Sequence, residues 1–340
     1  MNSLLAQPTA RKITAISWLP PAAGTAYTDA APRFLAGTGG KTKELVLWST
    51  PNPDFSTGTP ALADFVSKTT HASGGVQAIA PVTAELVLTA SSLGFLAAYR
   101  VANDEVVLGG QARAHGDEAA PEVCTGVAVQ PGGGSGRSVA SCGEDGRLVL
   151  CPVDRLDAQQ RVAADAGSLT SLCWPTSSQL AVATRAGQAK LFDPRALKSP
   201  SSVFYNPASH ASLECISAHP SQPFLLATGS DDGCVVLWDV RNPQRPRNEL
   251  FGVHAANVWQ VGFDPADARR VVSCSEDGSL AVTRWDGEGG GGVHETRRLA
   301  SRLNVLSVNC FDICPYTREH MLVAGSDSGN LLMAKTGAQW

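Results

Sequence analysis

The sequence predicts an all-β chain, a seven-bladed β-propeller that occupies residues 1–340 as one domain and is closed by an N-terminal strand. Three observations carry this reading. A short turn sequence flanked by two strand-like runs recurs down the chain. The recurrences are spaced like the blades of one repeat array. The last repeat lacks a fourth strand, which the first residues are free to supply.

The clearest copy lies in residues 210–241. Phe224–Thr228 and Cys234–Trp238 are apolar runs of strand character. Gly229-Ser230-Asp231-Asp232-Gly233 between them is rich in residues that tolerate positive φ or bond their own backbone. Leu213–Ile216 adds a third run, which ends at His219-Pro220. One small antiparallel sheet cannot bury both faces, so it needs neighbours like itself.

Those neighbours are present. Gly39-Gly40-Lys41-Thr42-Lys43 precedes Glu44–Trp48 but lacks a glycine at the usual end of the turn. Ser91-Ser92-Leu93-Gly94 precedes Phe95–Tyr99, Gly143-Glu144-Asp145-Gly146 precedes Arg147–Cys151, and Arg185-Ala186-Gly187 precedes Gln188–Phe192. Cys274-Ser275-Glu276-Asp277-Gly278 precedes Ser279–Trp285, with cysteine in place of the first turn glycine. Gly325-Ser326-Asp327-Ser328-Gly329 precedes Asn330–Ala334. The closing glycines stand at 94, 146, 187, 233, 278 and 329, at intervals of 52, 41, 46, 45 and 51. Repeats of roughly 40–45 residues fit four-stranded propeller blades, so the longer intervals read as loop insertions. With the first copy the count is seven, enough to close radially.

In chain order, residues 3–8 precede the first inner strand, Ile13–Leu19, and are expected to complete the blade of Val305–Met333. Such closure joins both ends of the array in one sheet and removes an exposed edge. Pro51–Thr70 leads through a loop and an outer strand to His71. Blade two is Val76–Tyr99. Blade three follows an insertion, His115–Glu122, and contains Val123–Val129 and Val139–Ser141. Its Pro131–Gly136 hairpin lacks the Lys-Ser/Thr of a phosphate-binding loop. Blades four, five and six are Leu169–Phe192, Leu213–Trp238 and Val258–Trp285, and Gly287–Gly292 reads as a linker.

Composition narrows the function classes. A net charge of −4 argues against a general nucleic-acid surface, whose usual footprint is a basic face. No apolar run approaches the roughly 18–20 residues of a membrane helix, so no membrane insertion is expected. Nine cysteines, an odd count, disfavour a disulfide framework. Most sit in apolar strand runs, where a thiol packs as a small hydrophobe, and reduced thiols point to cytosol or nucleus. Cys310 and Cys314 have no matching His/Cys pair, so no zinc site is expected. The adjacent acidic pairs Glu144-Asp145, Asp231-Asp232 and Glu276-Asp277 lie in separate turns and form no spaced calcium loop.

A second marker is a histidine ahead of three of the inner strands. His71 precedes Pro81 by 10 residues, His210 precedes Pro220 by 10, and His254 precedes Pro265 by 11. This histidine, the turn aspartate, a strand Ser/Thr and a tryptophan resemble the hydrogen-bonded set of WD40 blades. Blade five offers His210, Thr228, Asp232 and Trp238, and blade six offers His254, Ser273 and Asp277. Trp285 lies two residues later than the pattern requires, which implies a bulge or a longer strand. The sets have the composition of hydrolase triads, but they repeat blade by blade. A catalytic site needs one constellation with an exposed nucleophile, so no catalytic residue is assigned and a propeller hydrolase is disfavoured.

Phe192-Asp193-Pro194-Arg195 and Trp238-Asp239-Val240-Arg241 both end a third strand with Asp-x-Arg. Arg195 and Arg241 either bond locally, to a neighbouring blade or turn, or bind a partner. These segments resemble the tandem motif of propellers that act as substrate receptors of cullin-type ubiquitin ligases.

A more selective resemblance spans nearly the whole chain in blade order. Its carriers are Cys124-Thr125-Gly126-Val127 with Gly143-Glu144-Asp145-Gly146-Arg147, the two Asp-x-Arg ends, and Ala227-Thr228-Gly229 through Arg241. Ser273–Leu280 and Leu303–Val308 with Leu322-Val323-Ala324-Gly325 complete it. In these the chain resembles the nucleoporin 43 family, small WD40 propellers of the nuclear pore's outer-ring Y complex. It departs from that family in its short linker before blade seven, its PGGGSG hairpin and its two extra residues before Trp285, which leaves loop contacts open. The resemblance implies no enzyme activity and no cofactor. It implies a scaffold at the nuclear envelope, bound to helical scaffold nucleoporins of the Y complex short arm and supporting mRNA and protein transport. It also implies kinetochore association where that complex moves there in mitosis. The alternative is an adaptor of a cullin-type ligase.

Overall fold

Each closing turn glycine named above takes a positive φ, between 70° and 82°. Only a residue without Cβ enters that region at no steric cost, so these positions end the second strand of each blade and start the third. In the first copy Gly40 does the same at φ 79°, two residues ahead of an ordinary Thr42.

The structure, a computed structural model, describes residues 5–9, 11–22, 31–50, 63–132, 137–207, 209–265, 267, 269–285, 294–299, 306–316 and 321–335. The glycine linker 287–292 and the tip of the PGGGSG hairpin lie outside the described residues. The described residues hold 28 strands in seven four-stranded antiparallel sheets. β1 is Leu5–Pro8. Blade one is β2 (Ile13–Trp18), β3 (Arg33–Thr38), β4 (Glu44–Ser49) and β5 (Asp64–Thr70). Blade two is β6 (Val76–Pro81), β7 (Leu86–Ser91), β8 (Phe95–Ala102) and β9 (Glu105–Arg113). Blade three is β10 (Cys124–Val129), β11 (Ser138–Gly143), β12 (Arg147–Pro152) and β13 (Gln160–Ala163). Blade four is β14 (Leu169–Thr176), β15 (Gln179–Thr184), β16 (Gln188–Phe192) and β17 (Ser202–Tyr205). Blade five is β18 (Leu213–Ala218), β19 (Leu225–Ser230), β20 (Val235–Asp239) and β21 (Asn248–Leu250). Blade six is β22 (Val258–Phe263), β23 (Arg270–Ser275), β24 (Leu280–Trp285) and β25 (His294–Arg298). Blade seven is β26 (Val308–Ile313), β27 (Met321–Ser326) and β28 (Asn330–Lys335), completed by β1. The register Leu5↔Met333 through Pro8↔Asn330 is the expected N-terminal closure.

The first strands touch one another around a closed ring, β2 meeting both β6 and β26. The hydrophobic core is correspondingly divided into seven clusters, one per seam between neighbouring blades. Each sheet therefore buries both faces, as a lone blade could not. Side chains also lace the seams. The second residue of an inner strand reaches the next blade's first carbonyl in Thr14→Val76, Thr125→Leu169, Thr170→Leu213 and Asn309→Ile13, at 2.5–2.9 Å. Gln260 clasps both backbone groups of Phe311, donating through Nε2 and accepting through Oε1. The closing seam adds Asp312, which accepts from the Trp18 amide and Ser17 hydroxyl. Burial raises the Asp312 carboxyl to about 6, although the Trp18 and Ile313 amides and Ser17 pull it back toward the ionised form.

Candidate protein-interaction surface

The polar sets come first, because their chemistry could be mistaken for a reaction centre. In blade six, His254 places Nε2 2.7 Å from the Ser273 hydroxyl and Nδ1 2.7 Å from Ser279. Asp277 stands 3.6 Å from the same ring and accepts from the Ser279 and Ala255 amides. Burial lowers the His254 ring to about 4, with the Asp277 charge offsetting it in part. Burial works against ionisation of Asp277, but the Ser279 and Ala255 bonds and His254 outweigh it and hold the carboxyl below its ordinary range.

Two sets were missed by sequence reasoning. His71 bonds Thr89 at 2.9 Å, and burial lowers its ring despite the Gly74 carbonyl. His115 lies 2.9 Å from both Ser141 and Asp145, the bonding order of a hydrolase triad. Ser141 is fully buried, however, so no substrate reaches its hydroxyl. The signal for both was the fourth residue of the second strand. It is Ser or Thr in blades two, three, five and six, and Ala or Val elsewhere.

Blade five departs from expectation. Thr228 is bonded by the Trp238 indole, Nε1 donating at 2.9 Å, while His210 is exposed. Asp232 is bonded by Ser230 and the Cys234 amide within its own turn, and by Ser209. The buried histidine nearby is His219, whose Nδ1 accepts from the Ser221 and Gln222 amides while its ring packs 4.7 Å from Phe263. In blade six the third strand pairs with β23 without any register shift, so there is no bulge there. Thr283 holds the place of Trp238, and Trp285 ends a longer strand and packs into the blade five seam.

Arg195 and Arg241 each bond their own motif's aspartate. Arg195 Nε lies 3.2 Å from Asp193 with 80% of its side chain exposed. Arg241 lies 2.6 Å from Asp239, 64% exposed, with its guanidinium 3.9 Å over the Phe224 ring. Neither reaches a neighbouring blade through these bonds. Among the described residues no group of three or more His, Cys, Asp or Glu is placed to hold a metal ion. All nine cysteines are free thiols, eight of them buried.

A family model described as "WD domain, G-beta repeat" matches residues 200–239, which hold the outer strand of blade four and the first three strands of blade five. Human "Nucleoporin Nup43" is 32% identical over 165 residues, covering 48% of this chain and 41% of the relative. Mouse "Nucleoporin Nup43" matches to the same extent. The Dictyostelium discoideum "Nuclear pore complex protein nup43" is 28% identical over 196 residues, covering 55% and 43%. The chain is similar to WD40-repeat proteins of the Nup43 family. The matches span about two fifths of those relatives' own length.

A propeller without an exposed nucleophile in its polar sets meets other molecules through its turns and outer strands. Antiparallel order puts the second-to-third turns and the blade connections on one face, and the remaining turns on the other. The exposed large apolar side chains divide accordingly. Leu93, Phe251 and Leu306 stand on the first face, with Leu306 76% exposed, and Trp259 opens toward it from the second position of β22. Phe65, Val107, Leu108, Val203 and Tyr205 lie on outer strands. Arg195 and Arg241 follow third strands and stand on the opposite face, on neighbouring blades.

Proposed function

We propose that this protein is a non-enzymatic structural subunit of the nuclear pore's outer ring, the Y complex. In this reading it is a platform that binds helical scaffold nucleoporins of the short arm and supports pore assembly and nucleocytoplasmic transport. The observation that carries the reading is the likeness to proteins named Nup43 in three organisms. The site geometry supports it. The Ser/Thr hydroxyls that meet a histidine are buried and satisfied, which suits holding a blade together and leaves no exposed nucleophile in those sets. A closed ring of seven sheets offers turns and strand edges as recognition surface, and the partner is decided by particular side chains rather than by the fold.

The test is fluorescence localisation of the tagged protein with co-purification. A nuclear rim signal with outer-ring nucleoporins is expected, and kinetochore signal in mitosis belongs to the same reading. A diffuse signal with a cullin adaptor as main partner overturns it. Replacing Arg195 and Arg241 together with alanine then releases that adaptor if they are its anchors. In the nucleoporin reading the double variant keeps the rim signal.

A further inference from the structure

Blade two breaks a packing rule that the other six blades keep. In every blade the third-strand residue opposite the third residue of the second strand faces the following blade. That residue is Leu47, Leu150, Leu191, Leu237, Val282 or Met333 in blades one and three to seven. In blade two it is Ala98, opposite Leu88. The outer-strand residue beside it is a glycine only here, Gly110. The corresponding partners elsewhere are Ser67, Gln160, Ser202, Asn248, Arg297 and Leu5. Blades three, four and five pair Ala with Leu here, whereas blade two pairs Leu88 with Ala98, so its large side chain sits one strand further in and the outer part of the seam between blades two and three lacks one.

The space is not closed by a shift of the blades. A groove of about 730 Å³ remains, between Ala98, Ala102, Gly110 and Ala112 on blade two and Val153 and Leu156 on the blade three loop. Close-packed interiors leave few such gaps, and a groove of this size with an apolar floor is of binding-site dimensions. Arg100 rises from the floor with its stem over Gly109, and Arg155 stands on the facing wall. Neither guanidinium has a carboxylate within ion-pair distance among the described residues. Glu85, Asp154 and Asp157 bring the lining near charge balance, which suits a peptide and not a polyanion.

The adjoining edge decides the conformation of the occupant. β9 is an outermost strand of nine residues, the longest among the described residues, and its outer edge has no strand partner among them. A β-bulge opposite Ala98/Tyr99 interrupts it, and a side chain at Gly110 would meet nothing within 4 Å. A bulge discourages a long added strand, whereas glycine in a strand marks a place where another backbone approaches closely.

We infer that this groove docks a short extended segment of a partner protein, which seats one leucine-like side chain on Ala98 and Gly110 and a carboxylate against Arg100. The inference rests on the platform reading above and names its docking surface.

The probe is a fluorescein-labelled extended peptide of about ten residues, alternating threonine and valine, with a central Leu-Glu pair. Control peptides carry alanine for the leucine, lysine for the glutamate, or N-methyl groups on alternate backbone nitrogens. Saturable binding to the full-length protein by fluorescence anisotropy is expected, weakened roughly tenfold or more by each change, the size of a lost hot-spot contact. Ala98→Leu and Gly110→Leu supply the missing side chain from within. Both are expected to abolish peptide binding, and Ala98→Leu is expected to raise the melting temperature. Arg100→Glu is expected to reverse the preference toward the lysine peptide. No saturable binding by the wild type, or undiminished binding by Gly110→Leu with an unchanged melting temperature, overturns the proposal. Those results leave nuclear rim localisation untouched, so failure here is distinct from failure of the nucleoporin reading.

Discussion

Blades five and six are neighbours with nearly the same turn, yet they stabilise it differently. Blade six buries His254 and lets it hold two hydroxyls, Ser273 and Ser279. Blade five leaves His210 in solvent and satisfies Thr228 from the third strand with the Trp238 indole. The two solutions exclude each other sterically as well as chemically. Where blade five has the large Trp238 side chain, blade six has Thr283, which turns to Thr296 on its outer strand. A buried hydroxyl needs one partner, and the repeat supplies it from whichever neighbouring element has the volume to reach it. The seams differ in the same spirit. Gly229 lets Val258 of blade six approach, and Cys274 fills the equivalent place toward blade seven.

The largest expected effect comes from exchanging those two seam residues. A Cβ at 229 would lie 2.5 Å from Val258 Cγ1 and 2.8 Å from Cys215 Sγ. Gly229→Cys is expected to destabilise by about 2–3 kcal/mol through overpacking. Cys274→Gly removes one buried thiol and frees the chain, for about 1–2 kcal/mol. Denaturant midpoints at constant slope measure both. Equal effects would mean that the seams are interchangeable.

Next in size is the histidine pair. His254→Ala leaves the buried Ser273 hydroxyl without its partner, while Ser279 keeps Asp277, and is expected to cost about 1–3 kcal/mol. His210→Ala touches a solvated ring and is expected to stay within about 0.5 kcal/mol. Losses of the same size in thermal unfolding would restore His210 to a structural role.

The pH response sharpens the contrast. Burial lowers His254 to about 4, below its ordinary value, so the folded state favours the neutral ring. That contribution is complete above the unfolded value near 6.5 and is lost as pH falls from there toward 4, reaching about 1–2 kcal/mol at pH 5. Asp312 acts in the opposite sense. Its carboxyl is raised to about 6, so protonation on the way down from that pH stabilises the seam between blades seven and one. His254→Asn is expected to flatten the loss on acidification, and Asp312→Asn to steepen it. The indole in blade five does not titrate, so Trp238→Phe is expected to lower stability at all pH values alike. Urea unfolding at pH 7 and pH 5 for the four proteins decides this.

The fold was legible because it is written in local chemistry. The closing turn glycines could be read as φ requirements, and each of them meets one. The closing strand β1 was legible as a deficit of one strand at the other end of the array. The polar sets were legible by type but not by partner. Spacing put His210 level with His254, but whether a ring turns inward depends on the volume across the sheet, and Trp238 already fills it. The same limit hid the groove. Ala98 is unremarkable in an alternating strand and becomes informative only when the register sets it beside six leucine-, valine- or methionine-bearing equivalents.

The smallest effect separates the two turn aspartates. Asp277 bridges its turn to the preceding loop, accepting from Ser279 and from Ala255, with His254 close by. Asp232 bonds mainly inside its own turn, to Ser230 and the Cys234 amide, and it is exposed. Its one reach outside, the 3.3 Å bond from Ser209, is also exposed. Exposed side-chain bonds trade protein for water and contribute little. Asp277→Ala is therefore expected to cost about 1–2 kcal/mol and Asp232→Ala about 0.5–1 kcal/mol. A double-mutant cycle with the histidines localises the difference. Asp277→Ala should couple to His254→Ala, because the two share Ser279, whereas Asp232→Ala should be additive with His210→Ala. Coupling in blade five as strong as in blade six would mean that His210 closes onto Asp232 in solution, and the two blades would then be alike.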